Sequence, residues 1–319
     1  MIFRLTKSII TSVLALGLAS TVSLAAGPPK EIRVDWATYN PVSIVLKEKG
    51  LLEQEFGKDG IAIRWVQSAG SNKALEFLNA GSLDFGSTAG AAALLARING
   101  NPIKSIYVYS RPEWTALVTR GDSAIAKPAD LKGRTVAVTR GTDPHIFLVR
   151  ALQDVGLTDK DVKFVLLQHA DGKQALLRGD VDAWAGLDPL MASAEVEAGA
   201  KLFFRKADAN TWGVLNVREA FATEHPEIVK RVIAVYEKAR ALALANPAEL
   251  NGYLVAATKL PATVIAKQLE RTELTHSKIG APQRDSILAA GIALQKSEVI
   301  KSDVDVKAVV DSLIDQKFN

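Results

Sequence analysis

The sequence predicts an α/β protein of two similar lobes closed by a helical tail. Three observations carry that prediction. From Glu31 to Ser110, short apolar strands alternate with Gly/Ser/Thr loops and helices, the pattern of a parallel sheet with helices on its faces. The pattern starts afresh near Lys127, and beyond Val217 nearly every segment reads as helix.

Glu31 to Trp36 alternates apolar and charged residues, as a half-buried strand does. Ala37 to Pro41 is a loop, and Val42 to Lys49 is a helix ended by Gly50. Gly60 to Val66 is a second strand. Ser68 to Asn72 is a small-residue turn, and the helix after it puts Leu75 and Leu78 on one face. Leu83 to Gly86 is a third strand, followed by Ser87 to Gly90 and an Ala-rich helix to Ile98. Ile103 to Ser110 and Trp114 to Thr119 are strands as well. In sheets of this kind ligands sit beyond the carboxyl ends of the strands, where such loops gather.

In the second set, Thr135 to Val138 is a strand that breaks at Thr139 to Thr142 and resumes as a helix through Leu152. Gly141 permits the turn, Thr142 or Asp143 can cap the helix, and Pro144 fits its first turn. The free N–H groups of a helix start make this junction either a seat for an anion or a plain strand-to-helix turn. Val162 to Leu167 and Val181 to Trp184 are strands, and Asp188-Pro189 opens a helix. Leu78-x-x-Gly81-x-Leu83-Asp84 recurs as Leu176-x-x-Gly179-x-Val181-Asp182, which is why two similar lobes are expected. Lys201 to Phe204 and Trp212 to Val217 are the last strands, and five helices follow, several opened by proline.

The 319 residues are 48% hydrophobic, enough for a substantial core. Met1 to Ala26 has a basic start at Arg4 and Lys7, an apolar run from Ile9 to Leu18, and small residues at Ser23 to Ala26. That is a secretory signal peptide, with an uncleaved anchor as the alternative. Losing Arg4 and Lys7 takes the net charge from +4 to +2, which gives no reason to invoke nucleic acid. With no cysteine there is no disulfide, no thiolate metal site, no cysteine nucleophile and no lipidated cysteine. A soluble periplasmic protein that is not a lipoprotein is expected. His169, His225 and His276 lack metal spacing and read as surface residues. No metal or cofactor is expected, and G-x-S-x-G, H-E-x-x-H and P-loop motifs are missing.

Laid out in this order, the chain resembles the periplasmic solute-binding proteins of ABC importers, in particular the aliphatic sulfonate-binding family with its taurine and nitrate relatives. The residues that carry the resemblance are Ala74 to Gly86, Pro128 to Val138, Leu148 to Leu152, Gly179 to Trp184 and Asp188-Pro189, within a span from about Ile32 to Phe221. The resemblance implies a type II two-lobe periplasmic-binding-protein fold, with central mixed sheets flanked by helices and a helical C-terminal tail. Residues 27–115 and 208–319 would form lobe 1 and residues 116–207 lobe 2, with crossovers near Glu113 to Val118 and Phe204 to Val214. It implies a monomer that binds a small anionic organic ligand, a sulfonate, and delivers it to a membrane permease without catalysis.

Carried over by the resemblance, the ligand would be held at Gly70 and Ser71, at Thr88 and Ala89, and at Gly141 and Thr142. Tyr39, Asn40, Trp184 and Asp188 would line the cleft. His145 either donates to the ligand or is merely exposed or capping in the first helical turn. Asp143 would repel a sulfonate unless it caps its own helix. Trp184 is core or cleft wall, and Asp188-Pro189 is cleft lining or only a helix start. Ala89 to Ala92, Thr142 to His145 and Leu187 depart from the family pattern, and all of these touch the cleft. Taurine, nitrate or a pyrimidine precursor is the alternative ligand, and an enzyme on the same fold is the rival reading.

Overall fold

The strand β1 (Glu31–Trp36) lies between two parallel neighbours, β2 (Ala62–Gln67) and β3 (Phe85–Ala89). The computed structural model describes residues 27–319; the signal-peptide expectation lies outside the described residues. Between β1 and β2 run α1 (Pro41–Glu48) and α2 (Leu51–Phe56), and between β2 and β3 runs α3 (Ser71–Asn79). After α4 (Gly90–Ile98) and β4 (Ile103–Pro112) the chain leaves this sheet.

Residues 113–116 carry it to β5 (Leu117–Thr119). Then come β6 (Thr135–Val138), α5 (Asp143–Gln153), β7 (Lys163–Leu166) and α6 (His169–Arg178). They are followed by β8 (Ala183–Ala185), α7 (Leu190–Ala198) and β9 (Lys201–Phe204). Residues 205–212 return the chain to β10 (Gly213–Arg218) in the first sheet. The tail comprises α8 (Glu219–Glu224), α9 (Pro226–Ala245), α10 (Pro247–Thr258), α11 (Ala262–Leu269), the two-residue β11 (Thr272–Glu273), α12 (Ala281–Lys296) and α13 (Val306–Leu313).

Strand order is β11-β4-β10-β3-β1-β2 in one sheet and β7-β6-β8-β5-β9 in the other. Alternation of strand and helix alone predicts parallel sheets; both are mixed, as the resemblance implied. β10 runs antiparallel to β3 and β4, and β5 antiparallel to β8 and β9. Each is the first strand after a crossover, so it enters its sheet from the other lobe and points the opposite way. The period-2 and period-3.6 patterns record local structure, not the direction from which a strand arrives.

The internal echo has a physical counterpart. Asp84 accepts the backbone N–H of Arg33 at 2.9 Å, and Asp182 accepts that of Thr135 at 2.8 Å. In each lobe a carboxylate thus ties the start of one strand to the next.

In the second lobe, alternate residues of β6 serve two cores. Val136 and Val138 pack with Phe147, Leu148 and Leu152 of α5, while Ala137 packs with Leu176, Trp184 and Met191. The first lobe's core gathers Ile32, Val34, Leu46, Phe56 and Phe85, with Val232 and Tyr236 of α9 covering it. Side chains of this kind contribute about 1.5–3 kcal/mol each when fully buried. Ile146 and Val149 of α5 join that first core, so the lobes touch.

Candidate functional site

A groove of about 590 Å³ separates α3 and α4 from α5. Leu75 and Leu95 of the first lobe face Val149 and Phe164 of the second across it. Asn72, Gly141 and His145 give it polar atoms, and Arg140, Lys160, Asp159 and Glu298 give it charge. Burial, with the nearby Arg140 guanidinium adding to it, lowers His145 to about 4, so its ring is neutral at pH 7. A second cavity of about 650 Å³ adjoins the groove between α5 and α12, sharing Val149 and Lys160 with it.

The helix starts around the groove differ in what their N–H groups do. At α4 they are met by the protein itself. Ala89 N–H donates to Ser71 Oγ at 3.0 Å, Gly90 N–H to the Trp212 carbonyl at 2.9 Å, and Ala91 N–H to Thr211 Oγ1 at 3.2 Å. The seat expected at Thr88 and Ala89 is therefore filled from within. Thr88 is also fully buried, its hydroxyl accepting from Asn216 at 2.8 Å. At α3 and α5 the accounting differs. Among the described residues no acceptor meets the backbone N–H of Ser71 or Asn72, nor that of Gly141, Thr142 or Asp143. Gly141 makes this possible with a φ of +78°, which turns the chain sharply before α5.

Thr142 and Asp143 have side-chain roles that the sequence did not reveal. The Thr142 hydroxyl donates to the Thr139 carbonyl at 2.6 Å, closing its own turn instead of pointing at a ligand. Asp143 does not cap its own helix. Its carboxylate accepts from Trp114 Nε1 at 2.8 Å, Thr211 N–H at 2.9 Å and Thr211 Oγ1 at 2.7 Å. Trp114 and Thr211 lie on the two crossovers, and Thr211 in turn caps α4. Burial raises the Asp143 carboxyl, while these three donors pull it back down.

The other predicted residues sit beside the groove or beneath it. Tyr39 donates to the Ser87 carbonyl at 2.9 Å and lies edge-on to Trp114. Asn40 caps α1 and donates to Ser87 Oγ at 2.7 Å, fully buried. Both pin the loop after β1 to the middle of β3; neither is among the groove's walls. Trp184 is core: its indole N–H lies under α6, where a Cβ on Gly172 would come within 2.8 Å of it. Asp188 faces the tail instead, accepting from Arg271 at 2.9 Å, while Arg271 also reaches Glu195 at 2.7 Å. Burial pushes the Asp188 carboxyl up to about 7 against the pull of that guanidinium.

His169 corrects the expectation most clearly. It is only 2% exposed, and its ring lies against Gly70 of the other lobe. The echo carried the signal: Leu78 and Leu176 are 98 residues apart, and the same offset carries Ser71 to His169. Each opens the helix after the second strand of its parallel run.

Two mixed α/β sheets, two crossovers and a groove between them make up the periplasmic-binding-protein fold. Comparison with known proteins agrees. The chain is similar to the putative aliphatic sulfonates-binding protein of Escherichia coli, 30% identical over 275 residues that cover 84% of this chain and 86% of the relative. Its counterpart from Bacillus subtilis is 28% identical, over 90% and 88% of the two chains. The alkanesulfonate-binding protein SsuA of Xanthomonas axonopodis pv. citri, solved bound to MOPS, superposes with a TM-score of 0.82. It is 25% identical, and the match covers 91% of this chain and 99% of that one. A family model described as NMT1/THI5 like matches residues 44–250, and the chain belongs to that family.

Proposed function

We propose that this protein is the solute-binding component of an ABC importer, and that it holds an organosulfonate between its lobes for delivery to a membrane permease. The observation that carries this reading is the groove. It is lined by Asn72 at the start of α3 and by Gly141 just before α5, on opposite walls, and among the described residues the backbone N–H of each lacks a protein acceptor. A sulfonate spreads one charge over three oxygens, and helix starts hold such an anion without a full counter-charge. Arg140 and Lys160 at the same walls add attraction, while Leu75, Leu95 and Phe164 offer apolar contact for a carbon tail. Closure would be a hinge motion between lobe 1, residues 27–115 with 208–319, and lobe 2, residues 116–207. Contacts from both lobes would favour the closed state.

Relatives named as sulfonate-binding proteins support this ligand class. The Escherichia coli and Bacillus subtilis relatives are named binding proteins. The likeness to a desulfurization enzyme, at 14% identity, concerns the fold alone. Export by the leader at residues 1–26 and a monomeric periplasmic protein complete the proposal. Thermal-shift titration with alkanesulfonates, taurine, nitrate and sulfate tests it. Stabilisation by sulfonates is expected; stabilisation by nitrate or sulfate alone, or by none of them, would refute the ligand class.

A further inference from the structure

The groove does not end beside α5. Val149, Asp159, Lys160, Ser297, Glu298 and Val299 line both it and the second cavity, so the two spaces are continuous between the C-terminal halves of α5 and α12. Each alone, at about 590 and about 650 Å³, falls in the range of roughly 300–1,000 Å³ that houses a drug-sized molecule. A two-carbon sulfonate is far smaller and would leave the further space empty.

The second cavity is not a gap left for closure to remove. Gln153 of α5 donates its side-chain amide to the Ala293 carbonyl at 3.1 Å and to Ser297 Oγ, so the two helices are already joined across the lobe boundary. Several polar groups on its wall are committed elsewhere: Arg150 donates to the Ala209 carbonyl at 3.0 Å, and Asp154 pairs with Lys206 at 2.6 Å. The apolar groups are not. Ile292 is 42% exposed and Val299 39%, and both stand on the wall with Val149 and Leu157. The end of α12 fixes Val299 there. Its N–H donates to the Leu294 carbonyl at 3.0 Å and the Glu298 N–H to the Gln295 carbonyl at 3.1 Å, with Glu298 at a φ of +62°. A residue with a side chain takes that left-handed turn only against strain, and the turn leaves Val299 at the junction of the two spaces. Large apolar side chains gathered round a cavity mark a place for an apolar partner.

Resting on the groove as the ligand site, we propose that the cavity between α5 and α12 is a subsite for the ligand's carbon chain, and that the ligand is an organosulfonate with a long alkyl or aryl-ended chain. The sulfonate sits between the groove's Asn72 and Gly141 walls, and the carbon chain runs past Val149 and Val299 to lie against Leu157 and Ile292. Two-carbon sulfonates engage the anion seat alone and bind more weakly. One wall of the subsite comes from α5 of the second lobe and the other from the C-terminal helix α12, so a chain lodged there also favours the closed arrangement.

Butane-1-sulfonate and octane-1-sulfonate, titrated calorimetrically into the full chain, decide the matter. Each buried CH₂ is worth up to about fourfold in affinity, so octane-1-sulfonate is expected to bind at least about tenfold tighter than butane-1-sulfonate. Ala289 lines the second cavity and not the groove, so Ala289→Trp fills that cavity and should bring the ratio to within about threefold. Ile292→Asp, which sets a charge where the carbon chain would lie, should do the same. The ratio of the two ligands on one protein serves as its own control for lost folding. A ratio below about tenfold in the unaltered protein would overturn the subsite while leaving sulfonate binding intact. A ratio that either variant leaves unchanged would overturn it too, because the longer chain would then gain its contacts elsewhere. No binding of either sulfonate to the unaltered protein would overturn the assignment of the groove itself, and the subsite with it.

Discussion

Asp143 holds Thr211 through both carboxylate oxygens, Oδ2 on the backbone N–H at 2.9 Å and Oδ1 on the hydroxyl at 2.7 Å. Thr211 belongs to the returning crossover and caps α4; Asp143 opens α5. The bond therefore joins the helix start of one lobe to that of the other through the segment about which the lobes would hinge. A protein carboxylate stands here near two positive helix ends, which accounts for an acidic residue beside a proposed anion site.

Asp143→Ala removes three hydrogen bonds and leaves the Trp114 indole N–H and the Thr211 N–H buried without an acceptor. The expected loss is about 2–4 kcal/mol of stability in urea unfolding. Asp143→Asn, which keeps an acceptor, should lose less. Equal stability of Asp143→Ala and the unaltered protein would contradict the anchoring role.

Thr142→Val deletes a hydroxyl that donates to the Thr139 carbonyl and keeps the shape. The structure predicts a stability loss of about 1 kcal/mol and little change in sulfonate affinity. A tenfold or greater rise in Kd at unchanged stability would instead return the hydroxyl to the ligand.

Arg271 joins the tail to the second lobe through Asp188 and Glu195, with Arg271 and Asp188 almost wholly buried. Arg271→Leu strands the Asp188 carboxylate and is expected to cost about 3–5 kcal/mol by denaturant unfolding. Arg271→Lys keeps the charge without the fork and should lose part of that.

Two buried groups give opposite pH signatures. Burial pushes the His169 ring down from its ordinary 6.5 to about 3, so the unfolded chain binds the extra proton between those values. Stability from this group falls as pH drops below about 6.5, at up to about 1.4 kcal/mol per pH unit. Asp35, fully buried with Oδ2 unpartnered, is pushed up to about 6 from 3.8. Its contribution is full below 3.8 and fades as pH rises through 6. The two oppose each other between pH 4 and 6, so whole-protein profiles conceal them. Chemical unfolding of His169→Phe should show less acid destabilisation than the parent, and Asp35→Asn less alkaline loss; the reverse order would contradict the burial of both.

Much of the fold was legible in the residues. Gly and Pro punctuate nearly every element, and the echo at Asp84 and Asp182 correctly announced two related lobes. Strand direction was not legible, because β5 and β10 differ from their neighbours only in where the chain has come from. Of the residues expected at the cleft, Gly141 and His145 line the groove. Gly141 stands just before α5, while Ser71 opens α3 one residue before the lining residue Asn72. Thr88 and Asn40 lie near the carboxyl ends of strands and Trp184 in the middle of β8, but their side chains turn into the protein, a choice set by packing between elements distant in sequence. His169 looked like a surface residue because no local pattern shows that Gly70, some hundred residues earlier, covers it.

Ala96 lines the groove on α4 and makes none of the polar contacts described, so Ala96→Trp fills the groove and leaves the helix starts unchanged. The decisive measurement is calorimetric titration of the unaltered chain and of Ala96→Trp with 2-aminoethanesulfonate and 2-hydroxyethanesulfonate, with thermal midpoints checked without ligand. Binding between the lobes predicts saturable one-site binding to the first protein and none to the second at a similar midpoint. Equal binding by both proteins, or by neither, would contradict the groove as the place where this protein holds a sulfonate.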